Sequence, residues 1–198
     1  MTELTAADVE TFTKGRLADD DGDGEVTRLL NAALAAARRY TGWHVSPVRE
    51  ADEITVDGPG GTRLKLPTKR IVSVDSIEED GETLTSDTYV LSADVPGLVV
   101  RRRGCWTREF SGITVTLDHG YTEDEAADWR QAILTMVDQM SLIPVGGSGR
   151  SNLDLTRKRI DDVEYQWSDG KLAALAEGVL FSVESLLFEY RIDPVFFA

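Results

Sequence analysis

The chain is short of the residues that usually perform chemistry. In 198 residues it carries one cysteine, Cys105, and two histidines, His44 and His119. A single cysteine excludes an intrachain disulfide framework and fits a reducing compartment. The histidines sit in TGWHVSP and LDHGY, and neither belongs to a spaced ligand motif such as HExxH. A zinc site needs more donors than these. Each therefore reads as a junction residue hydrogen-bonded to backbone where one element gives way to the next. Positive charge is also scarce: 21 Lys and Arg stand against 35 Asp and Glu, a net charge of −14. That balance disfavours a general affinity for nucleic acid or anionic membranes. No apolar run approaches the roughly 20 residues that cross a bilayer. The opening MTELTAADVETFTKGR is acidic and polar, unlike a secretory or transit leader. The expectation is a protein folded in a cytoplasm, with no membrane, no cofactor and no enzymatic activity.

What is present suits a folded domain. Apolar residues make up 41% and charged residues 28%, ordinary for a globular chain with a sizeable core. The stretch DDDGDGEVTRLL, Asp19 to Leu30, invites comparison with a calcium loop. Asp19, Asp21 and Asp23 occupy the first three ligand positions, and Gly24 follows. The closing bidentate Glu is missing, because that position is Leu30. Leu30 instead joins Val26, Leu29, Ala33, Leu34, Ala37 and Tyr40 in a 3.6-residue stripe. The acidic run is better read as a loop whose last carboxylates suit the positive end of a helix running to Thr41, stopped by Gly42. A shorter helix precedes it, opened by the box-like Thr5-Ala-Ala-Asp8.

From Ile54 the period drops from 3.6 to 2. EITVDG, TRLKLPT, RIVSVDS, GLVVRRR and GITVTLDH alternate as strands do. DGPGG, EDGE and VPG supply the turns between them. Helix resumes at Thr122-Glu-Asp-Glu125, with Trp129, Ile133, Met136, Val137 and Met140 on one face, and Pro144 ends it. VGGSGRSN then reads as a hinge, LDLTRKRIDDVEYQWSDG as a polar and partly extended stretch, and the residues after Asp169 as a last helix to about Tyr190. Its stripe is Leu172, Leu175, Ala176, Val179, Val183, Leu186, Leu187 and Tyr190. Phe181 and Phe188 lie off it, so this helix has apolar surface on more than one side. The ending DPVFFA adds more. Phe181, Phe188, Tyr190, Arg191, Val195, Phe196 and Phe197 are accordingly the candidates for contact with a partner or a neighbouring subunit.

The remaining reactive-looking features have plainer readings. Cys105 has Arg101, Arg102, Arg103 and Arg108 nearby, which favour a thiolate. No histidine lies close in sequence to serve as its base, and it reads as a structural cysteine at a strand end. The glycines of 146–149 follow a helix and lack the Lys-Ser/Thr pair of a phosphate loop. The three consecutive arginines suit a solvated edge or an intersubunit salt-bridge patch. Trp43, Trp106, Trp129 and Trp167 are scattered, as core or interface anchors are.

Taken in order, AALAAARRYTGWHVSPV (32–48), DGPGGTRLKLPT (57–68), IVSVDSIEEDGETL (71–84), ITVTLDHGYTED (113–124), DDVEYQWSDG and the final LFEYR (187–191) form a familiar series. The chain resembles the head-to-tail adaptor (head–tail connector) proteins of long-tailed bacteriophages, especially those of actinobacterial hosts. RRYTGWHVSP, 38–47, is the most specific part, although Thr41 stands where cysteine is frequent in that family. The resemblance implies a virion structural protein at the portal vertex, in the neck. It would form a ring of about twelve copies beneath the portal protein, receive a stopper or tail protein, and line the channel through which double-stranded DNA passes without specific binding.

Composition and resemblance together predict an α+β fold: a bundle of about four helices with an inserted small antiparallel β domain and an extended C-terminal segment. Residues 1–51 and 120–145 would form the helical core and 52–119 the β insertion. Residues 146–198 would form a hinge, an arm and a C-terminal helix with an apolar tail that orders on docking. The β part would supply side-to-side contacts around the ring. Trp43, His44 and His119 would mark the structural junction. Three alternatives stand beside this reading: another connector component, such as a head–tail stopper or tail-completion protein; a metal-dependent enzyme; and a host helical regulator, which the acidic balance disfavours.

Overall fold

The computed structural model describes residues 3–18, 24–142, 157–160, 163–166 and 172–192. Asp19, Asp21 and Asp23, the glycine hinge, Trp167, and Val195, Phe196 and Phe197 lie outside them. The fold is α+β, with four helices and antiparallel sheets of four and three strands among the described residues. The chain divides into two compact units. One is built on Thr41–Ala127 and takes in residues 190–192; the other comprises Leu4–Tyr40 and Asp128–Glu189.

The second of these units is helical. α1 (Ala6–Phe12) begins where sequence predicts, with the Asp8 carboxylate accepting hydrogen bonds from the Thr5 backbone N–H at 2.7 Å and its hydroxyl at 2.8 Å. α2 (Glu25–Thr41) buries Val26, Leu29, Leu30, Ala33, Leu34, Ala36 and Ala37, one continuous stripe. Leu30 is 3% exposed, so its place is in a core rather than at a cation. α3 (Ala127–Ser141) buries Trp129, Ala132, Ile133, Met136, Val137 and Met140. It starts later than its acidic lead-in suggests. Thr122–Glu125 instead forms a preceding turn, in which the Glu125 carboxylate accepts from the Thr122 N–H at 3.0 Å and the Thr122 hydroxyl accepts from the Glu125 N–H at 3.2 Å. α4 (Leu172–Phe188) buries Val179, Val183 and Leu187, each four residues from the last. Polar ties within this unit are an Arg16–Asp138 ion pair, Tyr40 Oη–H to Glu184 at 3.0 Å, and Ser182 Oγ–H to Gln139 at 2.8 Å.

The other unit is a small two-sheet β structure. One sheet has the order β1 (Arg49–Val56), β7 (Ile113–His119), β3 (Ile71–Glu79), β4 (Glu82–Thr83). The other has β2 (Arg63–Lys65), β6 (Leu98–Arg101), β5 (Tyr89–Leu91). Central β7 alternates strictly, with Ile113, Val115, Leu117 and His119 buried and the residues between them half-buried. Ile113, Val115 and Leu117 meet Leu64, Leu66, Ile77, Tyr89, Val99 and Trp106 in one core. β4 went unrecognised in the sequence because two residues are too few to show a period, and β5 because Tyr89, Val90 and Leu91 do not alternate. In the helical unit, the polar stretch expected to be partly extended contains a hairpin, β8 (Arg157–Ile160) with β9 (Val163–Gln166). One glycine is obligatory for the sheet connection: a Cβ on Gly97, at φ +69°, would lie 2.0 Å from the Thr68 carbonyl oxygen.

Candidate interaction surfaces

The expected junction residues come together in the β-containing unit. The Trp43 indole N–H donates to the Tyr190 carbonyl at 2.6 Å, and the Ile192 N–H donates to the Thr41 carbonyl at 2.9 Å. Tyr121 donates its N–H to Val45 O at 2.8 Å, and its ring meets Tyr190 edge-on at 5.4 Å. Trp43 stacks near His119, with centroids 6.4 Å apart. Both histidines are buried. His44 Nε2 hydrogen-bonds the Pro47 carbonyl, the backbone partner its position suggested. His119 takes side-chain partners instead: Nε2 lies 2.9 Å from Asp52 and Nδ1 lies 3.3 Å from the Thr68 hydroxyl. The hydrogen bond from His119 holds the Asp52 carboxyl below its ordinary range, against a smaller opposing effect of burial.

Asp52, His119 and Thr68 together have the outline of a catalytic relay. Thr68 is fully buried, and its hydroxyl already donates to Arg70 O at 3.3 Å and accepts from Arg70 N–H at 3.2 Å. A nucleophile has to reach its substrate; this hydroxyl is enclosed. Its connections run between β1, β7 and the 68–70 turn, so the arrangement ties strands. Among the described residues no group of three His, Cys, Asp or Glu side chains is placed to hold a metal. A concavity of about 230 Å³ lies at Lys69, Arg70, Ile71, Leu91, Pro96 and Leu98; neither histidine lines it.

The candidates for partner contact separate. Phe181 is 77% exposed and Phe188 59% exposed, both on the side of α4 away from Val183 and Leu187. Tyr190 is 7% exposed and is taken up by the junction, and Arg191 is half-buried. Cys105, read from sequence as structural, is exposed in the β6–β7 loop. Sequence reading missed Phe110 in that same loop, which is 86% exposed. A lone Phe in REFSG gives no periodic signal, and only the structure shows that it points into water.

With four helices and antiparallel sheets of four and three strands among the described residues, the chain has the fold of chains in the neck of gene transfer agent particles. It is similar over nearly its whole length to chains in three solved structures. The first is the neck of a native GTA particle computed with C12 symmetry, at 13% identity and a TM-score of 0.56, covering 98% of this chain and 93% of that one. The second is the neck of an empty GTA particle computed with C6 symmetry, at 16% identity and a TM-score of 0.57, covering 96% and 90%. The third is the virion of a native gene transfer agent particle, at 14% identity and a TM-score of 0.59, covering 96% and 90%. At these identities the likeness is one of fold. No protein-family model matches the chain, and no curated protein does.

Proposed function

We propose that this chain is a structural component of the neck of a phage-like particle, a head-to-tail adaptor of the kind the actinobacteriophage resemblance implies. Copies form a ring, of about twelve by analogy with the C12 neck, placed below the portal protein. The ring joins the DNA-filled head to a stopper or tail protein and lines the exit channel. The observation that carries this reading is the whole-length fold likeness to neck chains, 98% of this chain and 93% of the other. Two properties of the chain support it. Apolar side chains are held in water on a helix whose other face is already buried, as a subunit contact requires. The net charge of −14 suits a conduit that DNA must traverse without sticking. The junction of Trp43, His44 and His119 then serves as rigid framework.

Negative-stain images of the purified full chain, alone and mixed with its portal protein, test this. Rings, or rings stacked on portal, are the expected result; dispersed monomers in both samples would contradict it. The C-terminal tail is proposed to reach the portal. Because Ile192 is buried and bonded to Thr41, the informative truncation removes residues 193–198 and spares 192. That variant should fold and fail to attach.

A further inference from the structure

Phenylalanine is missing from the buried core of the described residues. Phe12 is half-buried, and Phe110, Phe181 and Phe188 are exposed. The core is filled by Val, Leu, Ile, Ala, Met, Trp and Tyr, and three phenylalanines are left at the surface. Phe110 is the most exposed of the large apolar residues described, and the loop that holds it is not slack. The Gly58 N–H donates to Glu109 O at 2.9 Å and the Gly60 N–H to Thr107 O at 2.8 Å. The Ser111 N–H donates to the Asp57 carboxylate at 2.7 Å and the Gly112 N–H to Glu109 O at 3.2 Å. Thr107 N–H is held by Glu79 at 2.7 Å, and Trp106 is buried with its indole N–H on Thr62 O at 3.2 Å. The facing turn must be glycine to permit this: a Cβ on Gly58 would lie 2.4 Å from Thr107 O. The backbone on both sides of Phe110 is thus held in place, while its ring contributes little to the core. Ordering a loop costs conformational entropy, and an apolar ring in water returns none of it. Preorganised aromatic side chains of this sort are the usual anchors of protein interfaces.

We propose that Phe110 is an intersubunit anchor, seating on the exposed face of α4 of a second copy, between Phe181 and Phe188. The argument for that occupant is complementarity. Phe181 and Phe188 are two helical turns apart, roughly 10 Å, a spacing that admits one aromatic ring between them. From residue 172 to 190 the chain carries Glu177, Glu184 and Glu189 and no Lys or Arg. The Phe110 loop carries Arg102, Arg103 and Arg108 against one acidic residue, Glu109, all exposed, in a protein that is otherwise acidic. A basic loop with an aromatic tip would thus meet a helical segment whose charged residues are all acidic. Because the two surfaces differ, the contact is heterologous: each copy offers both halves, and repetition closes a ring when the rotation fits. The inference rests on the ring reading above and deepens it.

The test places the photoreactive residue benzoylphenylalanine at position 110 of the full chain. A mixture of normal and ¹⁵N-labelled copies is irradiated at concentrations where the chain self-associates, and the products are mapped by mass spectrometry. Crosslinks from one isotopic form into residues 177–191 of the other are expected. In parallel, Phe110→Ser should weaken self-association about thirtyfold, the threshold effect of an interface anchor, with an unchanged circular dichroism spectrum and melting midpoint. Phe181→Ser should do the same. Crosslinks confined to one copy or landing elsewhere overturn the docking, as does a Phe110→Ser protein that associates normally; rings that persist in that case leave the adaptor reading standing. A wild-type chain that never associates, alone or with portal, counts against both.

Discussion

At the scale of single residues, the β-containing unit depends on a few polar side chains placed where burial makes them consequential. Glu79 and Arg101 form an ion pair with both side chains only 12% exposed. The other Glu79 oxygen takes the Thr107 N–H, and the Arg101 guanidinium lies 4.7 Å over the Trp106 ring. Removing one partner strands the other, so Glu79→Ala should lower the unfolding free energy by about 3 kcal/mol, read in urea titrations; an unmoved midpoint would contradict this. Trp43→Phe deletes one donor and leaves the Tyr190 carbonyl without it, which should cost about 1–2 kcal/mol. Three carboxyls also give the unit an acid limit. The Asp52 carboxyl is depressed by His119, that of Asp118 by the Ala51 N–H and that of Glu125 by the Thr122 N–H. A carboxyl depressed in the folded state contributes stability that is complete above its unfolded value of about 4 and is lost as pH falls through the folded value. The deficit of Asp52→Asn relative to wild type should therefore be full at pH 7 and vanish in strong acid. A deficit that persists there would show that charge is not what Asp52 supplies.

At the scale of elements, α4 is the informative case, because one helix carries two jobs on opposite sides. Leu187 is fully buried and Phe188, its neighbour, is 59% exposed. Leu187→Ala should destabilise by about 2–5 kcal/mol through lost packing and a cavity. Phe188→Ser should leave stability within about 0.5 kcal/mol while weakening assembly. Equal melting losses in the two would sink the assignment of faces. Long elements were legible in the sequence for a physical reason. α2, α3, α4 and β7 each bury one face, and a buried face imposes a period on the residues. The α3 start was misjudged because acidic residues favour a helix N-terminus and also build the Thr122–Glu125 turn that precedes one. β5 was missed because Tyr89, Val90 and Leu91 are all apolar and only three. The His119 partners were out of reach: Asp52 and Thr68 are distant in sequence and meet only once β1, β7 and the 68–70 turn are assembled.

At the scale of the whole molecule, the proposed role is one of shape and contact. Phe181 and Phe188 were marked in the sequence because they break the stripe of their helix, whereas Phe110 carried no pattern and needed the folded loop to reveal it. Charge is the other global feature. Twelve copies at −14 each would repel strongly at low salt, so ring formation should strengthen as salt rises from low to physiological concentration, seen as a growing ring fraction in light scattering. Rings that weaken steadily with salt over that range would mean that attractive charge pairs dominate assembly. The most direct test of the central claim is a cryo-electron-microscopy reconstruction of the intact particle at the vertex where DNA leaves. The expected result is a closed ring of this fold beneath the portal, with the Phe110 loop of each copy against α4 of the next. A neck that is complete without this chain would contradict it.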